Sequence, residues 1–193
     1  LYTFKGHDDG FWDKVGQAVG NLEALERLTY WTPDYEYHAT DDDYDDEVVP
    51  IPDSEIIARI LSYVRQTIRL EINYHDSMWH VEESRSFARA IHGHPTIWCF
   101  EDHGMFPYEA SDALYSALAT LPALKSITLS CNGLRVLRED ESSMVDHASL
   151  TELLRVPSLH FVRFDRCSFD PWGHAIANSL IEGTGITKVR SSR

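Results

Sequence analysis

Apolar residues in this chain switch between two spacings. Short runs alternate apolar and polar positions in the manner of half-buried strands: Leu25-x-x-Leu28-x-Tyr30, Thr67-x-x-Leu70-x-Ile72, Ile97-x-x-Phe100, Leu124-x-x-Ile127-x-Leu129, Leu159-x-x-Val162-x-Phe164 and Ile186-x-x-Val189. Upstream of most runs stand apolar pairs four residues apart: Val15/Val19, Ile57/Leu61, Phe87/Ile91, Leu114/Leu118 and Ile176/Leu180. That spacing puts both side chains on one face of a helix. The unit ending at Leu159 breaks the rule with Ser149 and Leu153, and two strand runs end on a polar residue, Asp102 and Ser191. Asp53, Ser54, Ser111 and Asp112 are predicted N-caps, Pro107 and Pro171 suit helix starts, and Gly183 and Gly185 suit a helix exit. The first residues of successive runs lie 42, 30, 27, 35 and 27 positions apart. The pattern is therefore strand, helix, strand, helix at a period of roughly 27–30 residues.

Two units carry a longer signature. Leu124, Ile127, Leu129, Asn132 and Leu134 follow L-x-x-L-x-L-x-x-N-x-L, and Leu159, Val162, Phe164, Cys167 and Phe169 repeat it with Cys in the Asn slot. This spacing resembles the leucine-rich repeat, and with a helix in each unit the chain resembles the ribonuclease-inhibitor-like class. The resemblance implies an α/β solenoid, a horseshoe with parallel strands on its concave face and α-helices on its convex face. Asn132 and Cys167 would then bond backbone groups in the strand-to-helix loop. Residues 1–193 read as a single domain of about six repeats plus a partial first one at Tyr2 and Phe4. No polar capping unit stands at either end, so the chain is expected to be part of a longer solenoid.

The two long steps hold insertions, an acidic one over 33–52 and a polar one over 135–147. Eight carboxylates crowd between Asp34 and Glu47. Asp41, Asp43 and Asp45 partly fit a calcium-loop template, but Asp46 occupies the glycine position and no Glu stands twelfth. A solvated acidic loop is the expectation. Ile51 to Val64 resembles the opening of an F-box, yet Ile57, Leu61 and Val64 already belong to the helix register of the repeat.

Nothing in the spacing points to catalysis or to a cofactor. His92 and His94 have no carboxylate or cysteine at ligand spacing, and the phosphate-loop, dinucleotide and zinc-protease motifs are missing. Asp146 and His147 with Ser142 and Ser143 supply triad residue types in a loop, which holds catalytic geometry poorly. No catalytic residue, metal ligand or cofactor is expected. The net charge of −14 disfavours nucleic acid and anionic membranes, and no apolar run is long enough to span a bilayer. Three cysteines, Cys99, Cys131 and Cys167, form no C-x-x-C pair, which favours reduced thiols and an intracellular setting, cytoplasmic or nuclear.

Positions two, four and six after each register mark point away from the core side of the strands. Six of those 21 are Lys or Arg, about three times an even spread, so this face is net positive on an acidic chain. The expected function is a protein-interaction scaffold that binds a partner with an acidic surface. Arg27, Arg69, Arg163 and Arg190 would pair with its carboxylates, and Trp31 and Phe161 would anchor it. Glu71, Glu101, Asp165 and Lys188 complete the expected contact surface. The alternatives are a regulator of an enzyme, of GTPase-activating or inhibitor type, and the substrate-receptor part of a ubiquitin ligase. The partner's identity and the oligomeric state are not readable from the residues.

Overall fold

The computed structural model describes residues 9–31, 53–73, 79–104, 106–130, 148–165, 173–182 and 185–192. Six helices and six strands alternate through them: α1 (Asp9–Gly20), β1 (Arg27–Trp31), α2 (Asp53–Tyr63), β2 (Ile68–Asn73), α3 (Val81–Ile91), β3 (Ile97–Asp102), α4 (Ser111–Ala119), β4 (Ser126–Ser130), α5 (Ala148–Leu154), β5 (Phe161–Asp165), α6 (Gly173–Ile181) and β6 (Lys188–Ser192). The strands form one all-parallel sheet in the order β1-β2-β3-β4-β5-β6. Each strand therefore pairs with its successor in sequence, and each helix packs against the next helix. A crossover helix is what returns the chain to start a parallel neighbour.

One buried cluster runs through the sheet and helices, from Trp12 to Phe164. The predicted anchor pairs Ile57/Leu61, Phe87/Ile91 and Leu114/Leu118 are all buried, as are Leu70, Ile72, Phe100, Ile127, Leu129, Val162 and Phe164. Around the second and third units the core is aromatic. Trp79 meets Phe87 and Phe106 at ring separations of 5.2 Å, and Phe87 meets Phe106 at 5.3 Å. Val64 joins Ile57 and Leu61 in the core, so the stretch that resembles an F-box opening is spent on α2 packing.

Several details differ from expectation. Thr67 is exposed, and the buried first anchor of its strand is Ile68, where the β2–β3 register shifts by a residue. The shift lets the larger apolar side chain face inward while Thr67 keeps its hydroxyl in solvent. Ser111 and Asp112 do not cap α4. A short 3-10 turn (Tyr108–Ala110) opened by Pro107 precedes that helix, and Ala110 takes the cap position without a side-chain bond. Asp112 instead accepts a 2.6 Å hydrogen bond from Ser149 Oγ, which explains why the α5 pattern carries serine where its neighbours carry an apolar residue. At the β6 end, Leu180, Ile181 and Val189 are exposed rather than anchored. Among the described residues, β6 has a neighbour on one side only, which makes it an edge strand.

Some expectations lie outside the described residues: the partial first strand at Tyr2 and Phe4, both insertions, Asn132, Cys131, Cys167, Pro171, Gly183 and the loop holding Asp146 and His147.

Candidate functional site

The strand face opposite the helices is built from three rows of side chains, because the parallel register places equivalent positions side by side. Arg27, Arg69, Cys99, Ser126, Phe161 and Lys188 form the first row. Thr29, Glu71, Glu101, Thr128, Arg163 and Arg190 form the second. The third runs from Trp31 through Asn73 to His103 on one side, and from Ser130 through Asp165 to Ser192 on the other. Direct neighbours across β1–β2 and β2–β3 thus repeat charge, Arg27 beside Arg69 and Glu71 beside Glu101. Like charges directly opposite are unfavourable. The face resolves this diagonally.

Arg27 forms an ion pair with Oε2 of Glu71 through Nε, at 2.7 Å, and through Nη2. Arg69 Nη2 donates to Oε2 of Glu101 at 2.5 Å. Asn73 Nδ2 donates to the other oxygen of Glu71 at 3.1 Å. Cys99, buried beneath, has its thiol 3.6 Å from Oε1 of Glu101. His103 completes the cluster, its Nε2 standing 3.6 Å from Oε1 of Glu71 and 3.6 Å from Oε2 of Glu101. The cluster sits low in the face: the Glu71 side chain is 9 % exposed and that of Glu101 14 %.

The turn after β3 sets His103 in place. Asp102 is buried, and its Oδ1 accepts the backbone N–H of Gly104 at 2.9 Å, while Gly104 adopts φ 106°. Such a backbone angle favours glycine. The backbone N–H of His103 also donates to the Ile72 carbonyl at 3.0 Å, extending β3 pairing past its last residue. Asp102 looks like a defect in the repeat when read as a missing apolar anchor. In the fold it builds the turn that aims His103 at the two glutamates.

Burial would raise the Glu71 carboxyl, but the bonds from Arg27 and Asn73 outweigh it and hold the group below the usual carboxylate range. Glu101 shows the same contest more strongly: burial pushes up, His103 and Arg69 pull down, and the group falls to about 2. The Glu101 carboxylate raises His103, against burial, with Glu71 adding to the rise. Burial pushes the Cys99 thiol up to about 11, which leaves it protonated and a poor nucleophile near neutral pH.

The other half of the face is different in kind. β4 contributes only hydroxyls, with Thr128 buried. On β5 and β6, Lys188 Nζ lies 5.6 Å and Arg190 Cζ 6.0 Å from the centroid of the Phe161 ring. These are cation–π distances. Lys188 and Arg190 are exposed and have no carboxylate partner among the described residues. Arg163 reaches Oδ1 of Asp165 on its own strand at 3.3 Å.

The structure therefore sorts the expected contact residues into two groups. Arg27 and Arg69 are already engaged by Glu71 and Glu101, so they are not open to a partner's carboxylates in the manner expected. Phe161, Lys188 and Arg190 do form an accessible cationic and aromatic patch, with Arg163 and Asp165 beside it. Trp31, 40 % exposed, lies at the far edge on β1 and shares no surface with Phe161. His103 and Asn73 were missed as site residues. The available signal was their shared offset from the register mark, two places beyond Glu101 and Glu71. Comparison with protein-family models, curated proteins and solved structures finds no match to this chain.

Proposed function

We propose that the chain is a leucine-rich-repeat solenoid of the helix-bearing class and that it works as a protein-binding scaffold rather than an enzyme. The sequential all-parallel strand order, with one helix per crossover, supports the solenoid reading. The concave strand face is the binding surface, and its β5–β6 end takes an acidic segment of a partner protein. One observation carries this: Lys188 and Arg190 flank the Phe161 ring without a carboxylate partner among the described residues, whereas the arginines of β1 and β2 are neutralised. Desolvating an arginine already tied to a buried glutamate gains little, because a partner must first displace that glutamate. Exposed cations beside an aromatic ring offer both charge complementarity and apolar area.

The test is capture from native lysate, followed by titration of the purified partner against the parent chain and the Lys188→Glu/Arg190→Glu variant. The expected result is a loss of affinity of tenfold or more in the variant and a shallower dependence on salt, since rim charges set salt sensitivity. Equal affinity and equal salt dependence would show that this patch is not the contact.

A further inference from the structure

We propose that Glu71, Glu101 and His103 form a site for one divalent transition-metal ion of the zinc class, on the strand face of β2 and β3. One ligand atom from each residue lies within 4.8 Å of the others. His103 Nε2 stands 3.6 Å from an oxygen of each glutamate. Ligands held by one tetrahedral zinc at about 2.0–2.1 Å stand about 3.4 Å apart. The histidine distances are within a few tenths of an ångström of that spacing, while the two glutamate oxygens, up to 4.8 Å apart, close by as much as about 1.4 Å through side-chain rotation.

A second observation points to a ligand. His103 Nε2 is shut off from solvent and makes no hydrogen bond. The nitrogen is aimed between two carboxylate oxygens that both stand just outside hydrogen-bond reach, at the spacing of ligands around a shared ion. Its own aim is fixed by the Asp102–Gly104 turn.

The outer contacts suit the role. Arg27 holds Oε2 of Glu71 and leaves Oε1, the oxygen nearer His103, bonded only to Asn73. Arg69 holds Glu101. Hydrogen-bonded carboxylates of this kind are the usual supporting shell of a metal ligand. Two carboxylates and one imidazole leave a fourth position for water. The imidazole selects zinc-like ions over magnesium and calcium, which prefer all-oxygen sites. The two guanidiniums oppose an added cation. Their side chains are 52 % and 36 % exposed, so solvent screens much of that repulsion. Affinity weaker than that of a structural zinc site is the consequence. A proton competes for the same nitrogen, so binding tightens as pH rises from 6 to 8.

The experiment titrates Zn2+ into the whole chain by calorimetry at pH 7.5, beside His103→Ala, Glu101→Gln and, as a control on an exposed histidine, His92→Ala. The expected outcome is one site in the parent and in His92→Ala, weakened tenfold or more by either of the other changes, with Mg2+ giving no competition. Visible absorption of the Co2+-loaded parent provides a readout that does not depend on a variant folding. Intense four-coordinate bands displaced by Zn2+ support the site. Absence of binding, Zn2+ binding that survives both His103→Ala and Glu101→Gln, or only the weak bands of six-coordinate Co2+ would overturn it. So would an His103 ring whose NMR titration with pH is unchanged by Zn2+, since the cluster would then take a proton alone.

Discussion

Asp53 illustrates how one residue at the start of a helix can set a pH dependence. It was expected as an N-cap of α2, yet it is buried at the first helical position. Burial is the main reason its carboxyl is pushed up from 3.8 to about 6, with Glu83 adding to the rise and Tyr30 opposing it. The folded state then holds the proton more tightly than the unfolded chain does. The sign follows: the contribution to stability is full below pH 3.8, and it is lost as pH rises through 6. Asp53→Asn should remove that loss, so the gap between variant and parent urea midpoints should widen in the variant's favour from pH 4 to pH 7. A gap that is constant with pH would mean Asp53 titrates as it does in the unfolded chain. Glu101 has the opposite sign. Its depressed carboxyl adds stability above the ordinary carboxylate range, and that stability is lost as pH falls toward 2.

At the scale of elements, close approach of backbones decides which small residues are replaceable. Gly20 ends α1 against the C-terminal end of α2, where a Cβ would stand 2.5 Å from the Tyr63 carbonyl oxygen. The obstacle is backbone rather than a flexible side chain. Gly20→Ala should therefore destabilise by about 1–3 kcal/mol, as overpacking does, despite the better helix propensity of alanine. Denaturant unfolding measures this, and a stabilised variant would mean that the two helices part easily. Ser149 and Asp112 show another element-scale device. Their hydrogen bond ties α5 to α4, as the Tyr63 hydroxyl donating to Asp13 ties α2 to α1.

Across the whole molecule, burial is uneven along the sheet. Phe164 is 1 % exposed near the middle of the core, whereas Val189 on edge strand β6 is 38 % exposed. Phe164→Ala should cost about 3–5 kcal/mol, and Val189→Ala well under half of that, both read from thermal or denaturant midpoints. Comparable losses would imply that β6 is as firmly packed as β5. The charge on the strand face is uneven in the same sense: compensated and half-buried on β1–β3, hydroxyl-lined on β4, cationic on β5–β6. On the proposed function, this asymmetry would steer an acidic partner to one end of the face rather than to its middle.

Much of the architecture was readable from spacing alone. The period-two runs and the pairs four apart placed all six strands and five of the helices, because burying one face of each element demands those intervals whatever the rest of the chain does. The outward positions were legible too: Arg27, Glu71, Glu101, Phe161, Lys188 and Arg190 all stand on the face that alternation assigned them. What alternation cannot carry is which outward residues touch each other. The parallel register set Arg27 diagonal to Glu71 and Arg69 diagonal to Glu101, and so spent the arginines inside the molecule. Tertiary structure likewise moved the β2 anchor from Thr67 to Ile68, turned Asp102 from a blemish into a turn-former, and brought His103 to two glutamates that are 32 and two residues away in sequence. The reason is physical. Hydrophobic burial is a property of each residue's own position, while pairing, desolvation and metal-ligand geometry belong to neighbours that only strand register brings together.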